Sequence, residues 1–248
     1  MTTPNITADA SFAGGPNEQA AKTRALRMLL FLAIFSMVMF FAGLTSAYVV
    51  LMKGEYWVNI RIPQAFYIST IIILVSSLTM HLALRSSREG NNARTRTMLI
   101  VTLALGLAFT GAQYSGWQQL IGTGNYVSGS IENLQGTYGE DFTVFFKGKE
   151  LIMENGKYYF PDDHSRAEAL NERVMSKSNT ASSFIYALSG LHLAHLAGGL
   201  IFLIFLVVKS FLKPIAGVGN LGVRQGATYW HFLDILWVYL FLFLLFIH

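Results

Sequence analysis

The sequence predicts an all-α membrane protein: five transmembrane helices, with a small extramembrane β/α insertion between the third and the fourth. Three observations carry this prediction. Of 248 residues, 53% are hydrophobic and only 13% charged, roughly half the charge of a soluble domain. The apolar residues fall in five blocks, at about 28–52, 65–84, 98–120, 182–208 and 229–248. Each block is long enough to cross a hydrocarbon core of ~30 Å as a helix. A helix also satisfies its backbone groups internally in lipid, and no alternating barrel pattern competes with it.

Residues 1–20 are small and polar, with Pro4, Gly14, Gly15 and Pro16, and read as a disordered cytoplasmic tail ahead of a transmembrane domain over 21–248. The apolar run from Met28 is too long for the core of a signal peptide, so it reads as a retained first span. Cysteine is absent, which excludes disulfides, thiolate metal sites and cysteine nucleophiles.

Orientation follows from the basic residues. With the N-terminus in the cytoplasm, the inner segments hold ten Lys/Arg, from Lys22, Arg24 and Arg27 to Lys209, Lys213 and Arg224, against Asp9, Glu18 and Glu89. The outer segments hold eight Lys/Arg and ten Asp/Glu. The short loops therefore favour N-in, and five spans put His248 outside in a multi-pass membrane protein. The net charge of +4 is a topology signal and no footprint for nucleic acid.

Residues 121–181 break the membrane pattern with a polar and aromatic loop long enough to have structure or a job. Asn155-Gly156, between Leu151–Glu154 and Lys157–Phe160, is a two-residue hairpin signal, because both residues tolerate positive φ. Phe142–Phe146 is a candidate third strand. Ser165 and Glu168 have capping-box spacing ahead of a short helix with Leu170 and Val174 on one side. The acidic run from Glu132 to Asp163 offers a docking surface for a basic partner. The competing reading is an insertion without chemistry.

The chemistry sits in the last two spans. Gly190-Leu191-His192-Leu193-Ala194-His195 and Tyr229-Trp230-His231-Phe232-Leu233-Asp234-Ile235-Leu236-Trp237 place polar groups where lipid rejects them. An aspartate near a membrane interior costs about 2.5–3.5 kcal/mol on insertion scales, so it faces protein or a hydrated pocket. Spacing of three puts His192 with His195, and His231 with Asp234, on one helical face each. The pairs serve as interhelical hydrogen-bonding or lipid-headgroup contacts, as metal or haem ligands, or as a proton relay. Against metal, the pairs lie roughly two turns apart in depth at ~1.5 Å per residue, and no third ligand joins either at ligand spacing.

Small residues add a packing signal: Gly106, Gly111 and Gly116 in the third span, Gly190, Ala194, Ala197 and Gly198 in the fourth. Tyr48, Trp57, Trp117 and Trp230 read as anchors at the membrane interfaces. Phosphate-cradling loops, His-Glu-x-x-His, a serine elbow and paired carboxylates within a span are all absent from the sequence. Asp234 is the sole acid within a span, too few for a self-sufficient pump. By itself the chain is expected to catalyse nothing.

Tyr229 to Trp237 resembles the final-helix signature Tyr-Trp-His-Phe-Val-Asp-x-x-Trp of subunit III of the haem-copper terminal oxidases. Ser189-Gly190-Leu191-His192 through His195 is similar to its Thr-Gly-x-His-x-x-His element. Ser36 to Gly43 resembles its Ser-Glu-Val-Met-Phe-Phe element in the first helix of the five-helix bacterial forms, and Gln113-Tyr114 is a weaker match. The similarity covers all five spans, while residues 1–20 and most of 121–181 fall outside it. It implies a V-shaped bundle without the first two helices of the seven-helix forms. It further implies an accessory subunit with no redox centre or metal of its own, in a proton-pumping oxidase. Such a subunit packs beside subunits I and II, whose haem and copper reduce oxygen with electrons from cytochrome c, and it holds phospholipid. His192, His195, Trp230, His231, Asp234 and Trp237 are the residues expected to make lipid and interhelical contacts.

The sequence departs from the family at two acids. Met37 stands where the family has its membrane glutamate, and Ser115 where its third-helix element has a second acid, so any role of that glutamate does not transfer. Subunits of this truncated type resemble those in bacteria whose oxidase associates with alternative complex III, a further expected partner. Two rival readings are a stand-alone transporter or channel using His231 and Asp234, and a membrane haem or metal protein.

Overall fold

The protein is described by a computed structural model over residues 16–163, 165–166, 168–215 and 221–248. Five long helices dominate it: α1 (Pro16–Met52), α2 (Gln64–Arg88), α3 (Asn92–Gly122), α5 (Thr180–Leu212) and α6 (Leu221–Phe246), with the short α4 (Asn171–Val174) before α5. All five long helices are apolar enough to cross a membrane. They overrun most of the ends expected from hydropathy, because a helix continues through polar turns once its hydrogen-bond ladder exists. Of the expected tail, residues 1–15 lie outside the described residues. Residues 16–20 are helical, because Pro16 suits a first helical turn and Glu18, Gln19 and Ala20 are good helix formers.

α2 and α3 form a tight antiparallel hairpin. Gly90, at φ +78°, turns the chain, and the Asn91 side chain accepts the Arg94 N–H at 3.0 Å to cap α3. α5 packs on α3, and α6 closes the bundle against α2 and α5. Two glycines seat aromatic rings from neighbouring helices. A Cβ on Gly116 would stand 2.4 Å from the Phe66 ring, and one on Gly106 2.8 Å from the ring of Trp230. The expectation of close approach there rests on those rings, whereas Gly111 and Gly198 face open space.

α1 joins the bundle through its second half only. Phe41, Thr45 and Tyr48 are buried, and the Thr45 hydroxyl lies 3.0 Å from that of Tyr239. Toward its N-terminus α1 diverges, leaving Met28, Phe31, Leu32 and Phe35 more than 60% exposed.

The extramembrane cap holds a strand absent from the sequence reading. β1 (Tyr56–Ile60), in the α1–α2 connection, pairs antiparallel with β2 (Phe142–Phe146), and β2 pairs with β3 (Lys149–Glu150). The expected hairpin is β4 (Ile152–Glu154) and β5 (Lys157–Tyr159), turning on Asn155 and Gly156 at φ 52° and 75°. Phe142–Phe146 is a strand as expected, but it joins β1 and not this hairpin. The expected capping box does not form. The Ser165 hydroxyl donates to Asp163 at 2.8 Å, and Glu168 pairs with Arg173 at 3.4 Å. α4 begins only at Asn171, whose side chain accepts the Tyr158 N–H at 2.8 Å. Leu170 and Val174 are both buried, as their spacing suggested.

Candidate functional site

The final-helix motif meets a row of hydroxyls on α2. The Trp230 indole N–H donates to Ser76 at 3.1 Å, and Trp237 donates to Thr70 at 3.0 Å. Between them, His231 Nδ1 lies 2.8 Å from the Ser77 hydroxyl. A helical register explains the pairing. On α6 the steps 230 to 234, 231 to 234 and 234 to 237 are three or four residues, which keeps these side chains near one face. In lipid each such bond is worth about 0.6 kcal/mol, up to ~1.7. A short ladder therefore orients α6 on α2 without dominating the fold.

Asp234 lies inside this ladder. It is 2% exposed, its Oδ2 stands 3.8 Å from His231 Nδ1, and neither oxygen has a hydrogen-bond partner among the described residues. His81 on α2 approaches from the lipid side, with its ring 6.3 Å from that of His231.

The α5 histidines share a helix but separate in space. His192 is fully buried, its ring 5.1 Å from Trp237 and 5.9 Å from Phe109, with both nitrogens lacking partners among the described residues. His195 turns toward α1, 5.8 Å from the Phe41 ring, and its Nδ1 donates to the Leu191 carbonyl at 2.7 Å. Among the described residues no three His, Cys, Asp or Glu side chains gather in metal-binding geometry. Met37, at the family's glutamate position, is buried.

Trp230 and Tyr48, read from the sequence as interface anchors, are buried within the protein. Trp230 is buried under Ser76 and Gly106, because its N–H finds a protein acceptor and its ring a glycine seat. Tyr48 and Trp57 are likewise buried, in an aromatic cluster with His248. Ile60 N–H donates to His248 Nε2 at 2.7 Å, so Nδ1 of the neutral ring carries the proton and donates to the Tyr48 hydroxyl. Burial pushes the His248 imidazole down to about 4. Trp117 is half-buried and donates to Ser189 at 3.0 Å.

Sequence reasoning missed the partners on α2. Ser69, Thr70, Ser76 and Ser77 interrupt an otherwise apolar helix, and that interruption was the available signal. Ser69 also accepts the Gln113 amide at 2.8 Å, tying α3 to the same surface.

Comparison with known proteins bears on the same region. The family described as Cytochrome c oxidase subunit III matches residues 168–248, which hold α4, α5 and α6. Subunit 3 of the cytochrome bo(3) ubiquinol oxidase of Pseudomonas aeruginosa is 25% identical over 174 residues, 70% of this chain and 60% of that protein. A probable cytochrome c oxidase subunit 3 of Mycobacterium leprae is 25% identical over 217 residues, 86% of this chain and 83% of that one. Cytochrome c oxidase subunit 3 of Alkalihalophilus pseudofirmus is 26% identical over 175 residues, 71% and 62% of the two chains. The chain thus spans between three-fifths and four-fifths of the length of these relatives. With five spans, and the α5 and α6 motifs inside the matched segment, the chain is similar to subunit III of the haem-copper oxidases over its last third by family model and over most of its length by relatives.

Proposed function

We propose that the chain is an accessory subunit of a proton-pumping terminal oxidase that reduces oxygen with electrons from cytochrome c. In this reading it carries no redox centre, binds beside subunits I and II that hold haem and copper, and retains phospholipid. One observation supports it most. Three motif side chains are spent on helix–helix contacts: Trp230, His231 and Trp237 are bonded to Ser76, Ser77 and Thr70. His192 and His195 point to different neighbours, Trp237 and Phe41, and do not converge on a common ligand. A catalytic or ligand-binding group needs free, convergent valences, whereas these groups fix the packing of a scaffold.

The basic end of the bundle, with the α2–α3 and α5–α6 connections, faces the cytoplasm of a bacterial inner membrane in this reading, and the strand-bearing cap faces outward. Two of the relatives above carry cytochrome c oxidase in their names, which favours cytochrome c over quinol as donor. Alternative complex III is a further candidate partner on the outer side.

The test is affinity purification of the tagged chain from native membranes in mild detergent, followed by a reduced-minus-oxidised spectrum. A large haem- and copper-bearing partner should copurify, while the isolated chain should show no visible absorbance. Recovery without any haem protein, or a haem spectrum from the chain alone, would overturn the reading.

A further inference from the structure

One face of the bundle is polar where acyl chains would otherwise cover it. α2 presents Leu74, Leu78 and His81 there, and beside them α6 presents Thr228, His231 and Ile235. Both rows step by four and three residues across seven, the spacing of a seam that receives another helix. All six side chains are exposed except that of His231, which is half-buried. The His81 and His231 rings, 6.3 Å apart between centroids, set the two rows at one depth.

That depth lies within the spans. His81 is four residues from Arg85 and His231 is seven from Arg224, about 6 and 10 Å along the helices from their basic ends. The Thr228 hydroxyl is satisfied by its own helix, donating to the Arg224 carbonyl at 3.1 Å. The imidazoles are not. His231 Nδ1 is engaged with Ser77, which leaves Nε2, and neither nitrogen of His81 has a hydrogen-bond partner among the described residues. Acyl chains offer no hydrogen bond, and ionisable side chains inside a span face protein or a hydrated cavity rather than lipid. The two rings therefore mark an interface, and the apolar side chains around them supply the close contact that helix association in a membrane needs.

We propose that this α2–α6 face docks a membrane-spanning helix of a partner subunit, whose hydroxyl, carboxyl or carboxamide side chain meets His81 and the remaining nitrogen of His231. The inference rests on the reading of the chain as one subunit of a larger membrane assembly, and it says which face that assembly covers.

The test uses the assembly in native membranes. The chain has no cysteine, so Leu78→Cys and Ile235→Cys each create a single site for a thiol-reactive benzophenone. Illumination should join both variants to the same membrane-spanning segment of another polypeptide, identified by mass spectrometry. His81→Leu should lower recovery of the assembled complex at least about threefold, the effect of one average interhelical hydrogen bond, and His81→Gln should restore it. Neither substitution should move the unfolding midpoint of the isolated chain in mixed detergent, because His81 makes no hydrogen bond among the described residues. Cross-links only to lipid, or to a second copy of this chain, would overturn the proposal. So would full recovery of the His81→Leu complex, or a lowered midpoint of the isolated variant. A tagged chain that recovers no partner at all would instead sink the subunit reading on which the proposal rests.

Discussion

The Trp230 indole donates to the Ser76 hydroxyl at 3.1 Å across the α2–α6 interface, and both residues are sealed inside the bundle. The two partners are unequal. A serine that loses the indole can still turn its hydroxyl to a carbonyl of its own helix, whereas an indole N–H that loses the serine has nowhere to go. Ser76→Ala should therefore cost about 1–3 kcal/mol despite its small volume change. Removing the N–H by Trp230→Phe should cost more in packing, yet the cycle with Ser76→Ala should return a coupling of only ~0.5–1.5 kcal/mol. Unfolding of the purified chain in mixed detergent measures both, and a coupling near zero would deny the bond any energetic role.

Gly106 and Gly111 form a matched pair for a second test. Gly106→Ala drives a methyl into the ring of Trp230 and the Leu200 side chain, both under 3 Å away, while Gly111→Ala meets nothing. The first should destabilise by about 1–3 kcal/mol through overpacking. The second should be neutral or slightly stabilising, since alanine favours the helix. Equal midpoints for the two variants would contradict the packing described.

Asp234 offers a test of scaffold against chemistry. Its carboxyl is buried, 3.8 Å from His231, and has no hydrogen-bond donor among the described residues. Asp234→Asn should lower recovery of the assembled complex several-fold, by disturbing the α2–α6 contact, while turnover per haem in the recovered fraction stays within about twofold. Normal yield with lost pumping would assign the residue to proton movement instead.

His248 gives a pH prediction with a definite sign. Its ring accepts the Ile60 N–H and lies near 4 in the folded protein, below the ordinary 6.5. Above 6.5 both docked and released forms are neutral, and docking is pH-independent. Between 6.5 and about 4 the released ring takes up a proton that the docked ring refuses, so docking weakens steadily as pH falls. Trp57, in ring contact with His248, reports the release by its fluorescence. A ring titrating at its ordinary value in nuclear magnetic resonance spectra would contradict the burial.

The spans were legible in the sequence because lipid leaves a chain few alternatives, and the β4–β5 hairpin because Asn155-Gly156 states its own turn. β1 was hidden. Tyr56-Trp57-Val58-Asn59-Ile60 has the aromatic and β-branched content of a strand, but its partner lies beyond two intervening helices, and a tryptophan beside a span end resembles an anchor. At the site, spacing identified which residues of α5 and α6 carry polar groups without revealing what they touch. That depends on the rotation of α2, whose hydroxyls show no helical period of their own. The divergence of His192 from His195 arises likewise, because residues three apart point some 60° apart around a helix of 3.6 residues per turn. Each then follows its nearest ring.

The pairing of Tyr56–Ile60 with Phe142–Phe146 imposes an order on biogenesis. As the ribosome delivers the chain, the link between the first two helices must wait without its partner. Its partner strand arrives only after α3 has been threaded through. Until then the aromatic side chains of the first strand stand unmated, a natural target for a chaperone, and the cap can seal only once the segment ahead of α5 has been made.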